Sequence, residues 1–367
     1  MLKRTEIQTQ VQTQGTDAII KNDFKGILDV APRVGKSKIV IDALKTVPDK
    51  KVLIIAPFNP ILESWNSELT KWYPEYKNIT IANQRSLSVF KLSEYDLIIS
   101  DECHTLSELQ LMILSNCGLP ILCVTGSLGD IKRKVLKMWF KVKPIFTYTI
   151  EEAISDGIIS NYKVNIHYVE LDNTKVNVEY GTKLKPLKGT EVQAYKWFTG
   201  QFERFKVLAY GNRAMENIKY QYANKRATLI YNSINKFNKA KSLITKSNNC
   251  LVFTTRIAIA DKLCAKSFHS KTEEDTLEDF SKGKIKKLAV CNMVSMGVTL
   301  KNLKHIIAHQ MQSSEELAMQ KFLRAMNFEG DKEALIELIV VKDTQDDNWV
   351  QKCISFVPEE KITKFYE

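Results

Sequence analysis

The sequence predicts an α/β protein of two tandem units, each a parallel sheet covered by helices, with a basic helical insertion between core strands of the second. Short apolar runs alternate with helix-period segments twice along the chain. Those runs are nearly continuous, as in strands buried on both faces. The length of 367 residues suits two domains at roughly 150 residues each. The expected division is 1–150 and 151–367, with the insertion at about 172–247.

In the first unit Gly26–Ala31 reads as a strand, followed by a short loop and a helix over Lys38–Val47. Lys51–Ala56 is a second strand. Pro60 opens a helix in which Ile61, Trp65, Leu69 and Trp72 share one face. Ile79–Ala82, Tyr95–Ser100 and Pro120–Val124 complete the strands. In the second unit Ile166–Leu171, Cys250–Thr254, Lys287–Cys291, Lys304–His309 and Leu335–Val341 read as strands. Helical patterns lie at Ile257–Lys266, Glu273–Phe280, Ser314–Met326 and Asp346–Ser355.

Composition narrows the function classes. No apolar run approaches a membrane span, and the opening MLKRTEIQTQ has no apolar signal core, so a cytoplasmic protein with no membrane partner is expected (the host cytoplasm if viral). The seven cysteines lack C-x-x-C spacing and read as reduced thiols. His305 and His309 fall in a strand pattern that puts both on one face, a poor arrangement for zinc. The net charge is +11, unevenly spread: residues 163–246 hold 16 basic and 6 acidic side chains, while residues 251–367 hold 17 and 18. Tyr195, Trp197, Phe202, Tyr210, Tyr220 and Tyr222 interleave with that basic stretch. Two readings fit it: a nucleic-acid face, with lysines on phosphates and rings on unpaired bases, or helical packing with solvated lysines.

The sharper signals sit at strand ends. Pro32-Arg33-Val34-Gly35-Lys36-Ser37-Lys38 lies between a strand and a helix, the context of a phosphate-binding loop. Backbone N–H groups at a helix N-terminus wrap phosphates, Lys36 would reach the β/γ oxygens, and Ser37 would hold Mg²⁺. Sixty-five residues on, a strand runs into Asp101-Glu102-Cys103-His104. Carboxylates past the carboxyl end of a parallel strand lie where ligands bind in open sheets. Asp101 would hold Mg²⁺ through water, and Glu102 would orient and deprotonate an attacking water.

In this order GKS, DECH and Val124-Thr125-Gly126-Ser127 resemble motifs I, II and III of a superfamily 2 helicase of the DExH type. Ala56-Pro57 followed by Trp65 is similar to motif Ia, and Asn83-Gln84-Arg85-Ser86-Leu87 to the segment that precedes motif II. LVFTTR at 251–256, MVSMGVTL at 293–300 and Gln320-Lys321-Phe322-Leu323-Arg324 resemble motifs IV, V and VI. The compact size and the stretch Thr-Gln-Asp-Asp-Asn-Trp at 344–349 look like compact phage helicases related to the annealing-helicase, type III restriction and Snf2-like groups.

The resemblance implies two RecA-like domains flanking a nucleotide cleft, with ATP and Mg²⁺ as cofactors. It assigns catalysis to Lys36, Asp101, Glu102, Gln320 and Arg324. Nucleotide binding falls to Gln14, Arg33, Val34, Gly35, Lys36, Ser37, Lys38 and Gly297, and Mg²⁺ to Ser37 and Asp101. Pro57, Phe58, Asn59, Arg85, Thr254, Thr255 and Arg256 would contact nucleic acid, and His104, Thr125 and Ser127 would couple the two activities. The implied function is an ATP-dependent helicase or translocase on single-stranded or branched DNA. The pattern departs from the family at Val30 and Arg33, both frequent glycines, and at Thr299, where motif V has an acid. In motif VI, Leu323 replaces the glycine and Asn327 the last arginine. The alternatives are therefore a DNA-binding scaffold of helicase fold that hydrolyses ATP weakly, or an RNA helicase.

Overall fold

The computed structural model describes residues 4–126, 128–182, 184–272, 275–291, 300, 303–311, 318, 321–322, 325–326, 333–355 and 357–366. Two compact units succeed each other in the chain at Asn161 and Tyr162.

The first unit opens with helix α1 (Arg4–Lys21), which buries Val11, Gly15 and Ile19 along one stripe. There follow β1 (Gly26–Val30), α2 (Lys36–Leu44), β2 (Val52–Ala56), α3 (Asn59–Trp72), β3 (Ile79–Asn83), β4 (Leu97–Asp101), α4 (Glu108–Ser115), β5 (Ile121–Thr125), α5 (Asp130–Phe140), β6 (Pro144–Tyr148) and α6 (Ile150–Ser155). The six strands form one sheet in the order β3-β2-β4-β5-β1-β6, parallel at every pairing. β1, β2, β4 and β5 are buried along their whole length, which explains their continuous apolar runs. On α3 the expected face holds at its centre: Trp65 and Leu69 are buried, while Ile61 and Trp72 are half-buried. α1, α5 and β6 have no counterpart in the sequence reading; the polar α1 and the edge strand β6 carry little apolar periodicity.

The second unit holds β7 (Tyr162–Val169), the hairpin β8 (Val178–Gly181) and β9 (Pro186–Gly189), α7 (Glu191–Leu208), α8 (Arg213–Tyr231), α9 (Ile234–Lys246), β10 (Cys250–Thr254), α10 (Ile257–Leu263), β11 (Ser267–Phe268), α11 (Asp275–Ser281), β12 (Lys287–Cys291), β13 (His305–Ala308), β14 (Ala334–Val341), α12 (Gln345–Cys353) and β15 (Ile362–Tyr366). Seven strands form a parallel sheet in the order β11-β12-β10-β13-β14-β7-β15. The helical pattern expected at Ser314–Met326 lies for the most part outside the described residues.

The insertion between β7 and β10 is mainly helical. Thr190 and Gln193 form a capping box on α7, and the Asn212 side chain caps α8, each worth about 1 kcal/mol. Ala194, Phe198 and Leu229 make a small core between these helices. Most of its rings are consumed there: Phe205 stacks on Tyr222 at 5.5 Å, Trp197 meets Tyr222 at 5.6 Å, and the Arg226 guanidinium lies 4.4 Å over Phe202. Tyr210 and Tyr220 remain exposed. Lys236, part of the basic excess, is fully buried and bonded to Asp346. Burial lowers its pKa, and the Asp346 charge opposes that shift.

Candidate nucleotide and nucleic-acid site

The order β4-β5-β1 sets the carboxyl ends of three adjacent strands side by side. Each end carries one expected motif: the loop to Lys36 after β1, Asp101-Glu102 at β4, and Thr125 at β5. Register places Asp101 opposite Val124 and Asp29 opposite Thr125.

The loop turns through left-handed backbone at Arg33 (φ 70°) and Gly35 (φ 104°). Arg33 thus keeps the bend that glycine makes without strain, at a cost of about 1–2 kcal/mol. Gly35 has a second constraint, since a Cβ there would come within 2.4 Å of Gln12 Nε2. Gln12 donates to the Val34 carbonyl at 2.7 Å, and Gln8 to the same oxygen at 3.1 Å. α1 therefore steadies the loop from outside through two glutamines four apart. Gln14 is exposed on the same helix, and Gln8 and Gln12, unassigned in the sequence reading, are the glutamines at the loop.

α2 begins at Lys36 with no side-chain cap, leaving the N–H groups of its first turn for an anion. Lys36 Nζ lies 3.8 Å from Glu102 Oε1. A Cβ at Gly126 would sit 2.5 Å from that nitrogen, so the glycine after β5 makes room for the ammonium group. Ser37 follows in the first turn of α2. Lys38 is engaged elsewhere, bonded to Asp42 and 4.7 Å over the Trp72 ring.

Asp101 is buried and held on two sides. Trp65 Nε1 donates to Oδ2 at 2.8 Å, and the Glu102 backbone N–H donates to Oδ1 at 2.9 Å. Burial foremost, then the Glu102 charge, pushes its carboxyl up to about 6, against the pull of Lys36 and the Trp65 bond. A carboxylate so crowded is relieved by a cation, and the donor set (a buried carboxylate, its neighbour, an ammonium group and an uncapped helix start) fits a magnesium-bound triphosphate. Glu102 itself adopts left-handed backbone (φ 46°), a strained conformation of a kind that clusters at functional sites. Gln84, buried, donates to the Asp101 carbonyl at 2.9 Å and accepts from Thr105. His104 Nδ1 lies 3.2 Å from Thr125 Oγ1 and 3.4 Å from Glu102 Oε2, which joins the acidic pair to the end of β5. Asp29 on β1 pairs with Arg133 of α5 at 3.1 Å; burial first raises its pKa and the Arg133 bond opposes the rise. Trp65, Gln84, Asp29 and Arg133 had no site role in the sequence reading.

The residues assigned to nucleic acid gather at strand ends too. Ala56 pairs in register with Asn83, and the Asn83 amide donates to the Pro57 carbonyl and to Asn59 Oδ1, both at 3.3 Å. Phe58 and Arg85 are exposed beside them. In the second unit Thr254 Oγ1 bonds the Arg256 carbonyl at 3.0 Å, Thr255 bonds Gln310, and the exposed Arg256 donates to Thr228 at 2.9 Å. Ser127, Gly297, Gln320 and Arg324 lie outside the described residues, as do Thr299, Leu323 and Asn327. Among the described residues no group of three or more metal-ligating side chains occurs, and no helix is long and apolar enough to cross a membrane.

Residues 235–329 match the helicase conserved C-terminal domain. S. cerevisiae Dbp5 bound to RNA and ADP BeF3 is similar in fold, with a TM-score of 0.60 at 10% identity over 97% of this chain and 89% of that one. A fragment of a chain assigned as the HsdR subunit of a type I restriction enzyme from Vibrio vulnificus YJ016 gives a TM-score of 0.59 at 15% identity, over 98% of this chain and 67% of that one. No curated protein matches by sequence. At such identities the likeness is one of fold, and the two parallel-sheet units are the tandem RecA-like fold.

Proposed function

We propose that this chain, which has the tandem RecA-like fold and matches the helicase conserved C-terminal domain at 235–329, is a superfamily 2 ATP-dependent helicase or translocase acting on single-stranded or branched DNA. The observation that carries the reading is the convergence of Lys36 and Glu102, 3.8 Å apart, beneath an uncapped helix start. Lys36 neutralises phosphate oxygens. Glu102 orients water and takes its proton, while Trp65 and the Glu102 N–H fix the carboxylate of Asp101. Mg²⁺–ATP, when bound, supplies the phosphoanhydride whose cleavage drives the cycle, and Ser37 and Asp101 are the residues that would hold the metal. His104 and Thr125 couple the state of Glu102 to strand binding, and Gln84, which donates to the Asp101 carbonyl, ties the acidic pair to the neighbouring Asn83 and Arg85. The DExH subtype and a phage-type role in replication, recombination or branch remodelling belong to this proposal.

Two observations favour other readings. The similar Dbp5 structure is bound to RNA, which favours an RNA substrate. Asn327 in motif VI, with the strained Arg33 in the loop, favours a scaffold that binds nucleic acid and hydrolyses ATP weakly. Stimulation of ATP hydrolysis by single-stranded DNA and by RNA, measured in parallel, separates the three: stronger stimulation by DNA supports the proposal, stronger stimulation by RNA selects the second reading, and binding without stimulated turnover selects the third.

A further inference from the structure

The β8–β9 hairpin and helices α7 and α8 enclose an open cavity of about 700 Å³ within the insertion, in the size range of small-ligand sites. The residues discussed above at the nucleotide loop do not line it. Its floor is apolar, made by Phe198 and Leu229 of the insertion core with Tyr180 of the hairpin packed against them. Its rim is polar, with Asn177, Asn224 and Lys225 exposed. Among the described residues the Asn224 side chain has no hydrogen-bond partner.

Position and charge narrow the occupant. Thr228, also lining the cavity, accepts a hydrogen bond from Arg256 at 2.9 Å, so the cavity borders the loop after β10 assigned above to nucleic acid. Residues 172–247 carry 15 basic and 5 acidic side chains, which draws a polyanion. Yet Glu179 and Glu191 face the cavity, and Glu191 is buried with both oxygens accepting backbone N–H bonds at 2.9 Å. A phosphate inside would meet these carboxylates. A neutral, flat group with hydrogen-bonding edges, attached to a polyanion, would not.

We propose that this cavity receives one unstacked base of a bound single strand. The ring lies on the Tyr180 and Phe198 side, the amides of Asn177 and Asn224 meet the base edge, and the flanking phosphates stay outside near Lys225 and Arg256. The inference rests on the nucleic-acid reading above and adds a base-binding pocket to it.

The test is photocrosslinking of the full chain to single-stranded oligodeoxythymidylate carrying iodouracil, with the attachment site mapped by mass spectrometry. The expected attachment is at Tyr180 or its hairpin neighbours. Binding with attachment only elsewhere overturns the pocket while leaving the helicase reading intact; no binding of any strand overturns both. In parallel, Tyr180→Ala is expected to weaken strand affinity roughly 5- to 100-fold, the scale of one lost base stack. Because Tyr180 also packs the hairpin, the exposed Asn224→Asp provides a variant that keeps the core; it is expected to weaken strand binding several-fold with an unchanged melting temperature. Unaltered affinity in both folded variants overturns the proposal.

Discussion

The indole N–H of Trp65 donates to Asp101 Oδ2 at 2.8 Å, across 36 positions of sequence. A residue on the apolar face of α3 thereby holds the carboxylate at the end of β4, and helix packing and site geometry are one arrangement.

Replacing Trp65 by Phe keeps an apolar ring and removes the donor. Hydrogen bonds to charged groups are worth about 1.5–3 kcal/mol, and the freed oxygen stays buried. Lower stability is expected together with a turnover loss larger than any loss of nucleotide affinity. Denaturant titration with steady-state ATP hydrolysis checks this; an unchanged turnover number would show that Asp101 needs no such support.

Gly126→Ala places a Cβ 2.5 Å from Lys36 Nζ. The lysine end is flexible and moves aside, while the Pro32 ring, 3.0 Å from the new Cβ, must give by a few tenths of an ångström, so the fold survives and the ammonium group leaves the phosphate position. We expect nucleotide affinity to fall about tenfold, one lost charge contact of about 1.4 kcal/mol, with only a small drop in melting temperature, measured with a fluorescent ATP analogue and by thermal melting.

Lys236 and Asp346 form a buried pair in which Asp346 Oδ2 also accepts the Val341 N–H at 2.9 Å. Removing one charge of such a pair costs about 3–5 kcal/mol, because the other is left buried. Lys236→Met should be strongly destabilising, and Lys236→Met with Asp346→Asn less so than the sum of the two single variants. A double-mutant cycle by denaturant titration gives the coupling.

Acid stability should report Glu337. Burial works against its charge, but the His167 bond at 2.6 Å and the nearness of His305 hold its carboxyl down at about 2, from an ordinary value of 4.5. A folded-state value below the unfolded one stabilises the fold above pH ~4.5. That contribution is lost as pH falls from ~4.5 toward 2. Glu337→Gln should flatten this part of the stability curve, as measured by denaturation at successive pH values.

Both sheets were legible because their central strands are buried on both faces and read as runs such as VLIIA at 52–56 and CLVFT at 250–254. α1 was not: its buried stripe is three residues in a polar helix, and its stability comes from docking. The phosphate loop and acidic pair were legible because strand, loop and helix follow one another in the sequence. Their supports were not, since Trp65, Gln84 and Gln12 meet the site through contacts between distant segments. Charge and ring counts in the insertion overstated its exposed face: Lys236 is buried, and Trp197, Phe205 and Tyr222 pack on one another.

The most direct test is steady-state ATP hydrolysis in the presence of single-stranded DNA by the wild-type chain and by Lys36→Ala. DNA-stimulated turnover is expected in the wild-type chain and should fall by roughly 10²–10³-fold in the variant, the scale of one lost charge-stabilising group. Equal turnover in the two proteins would contradict the proposed function.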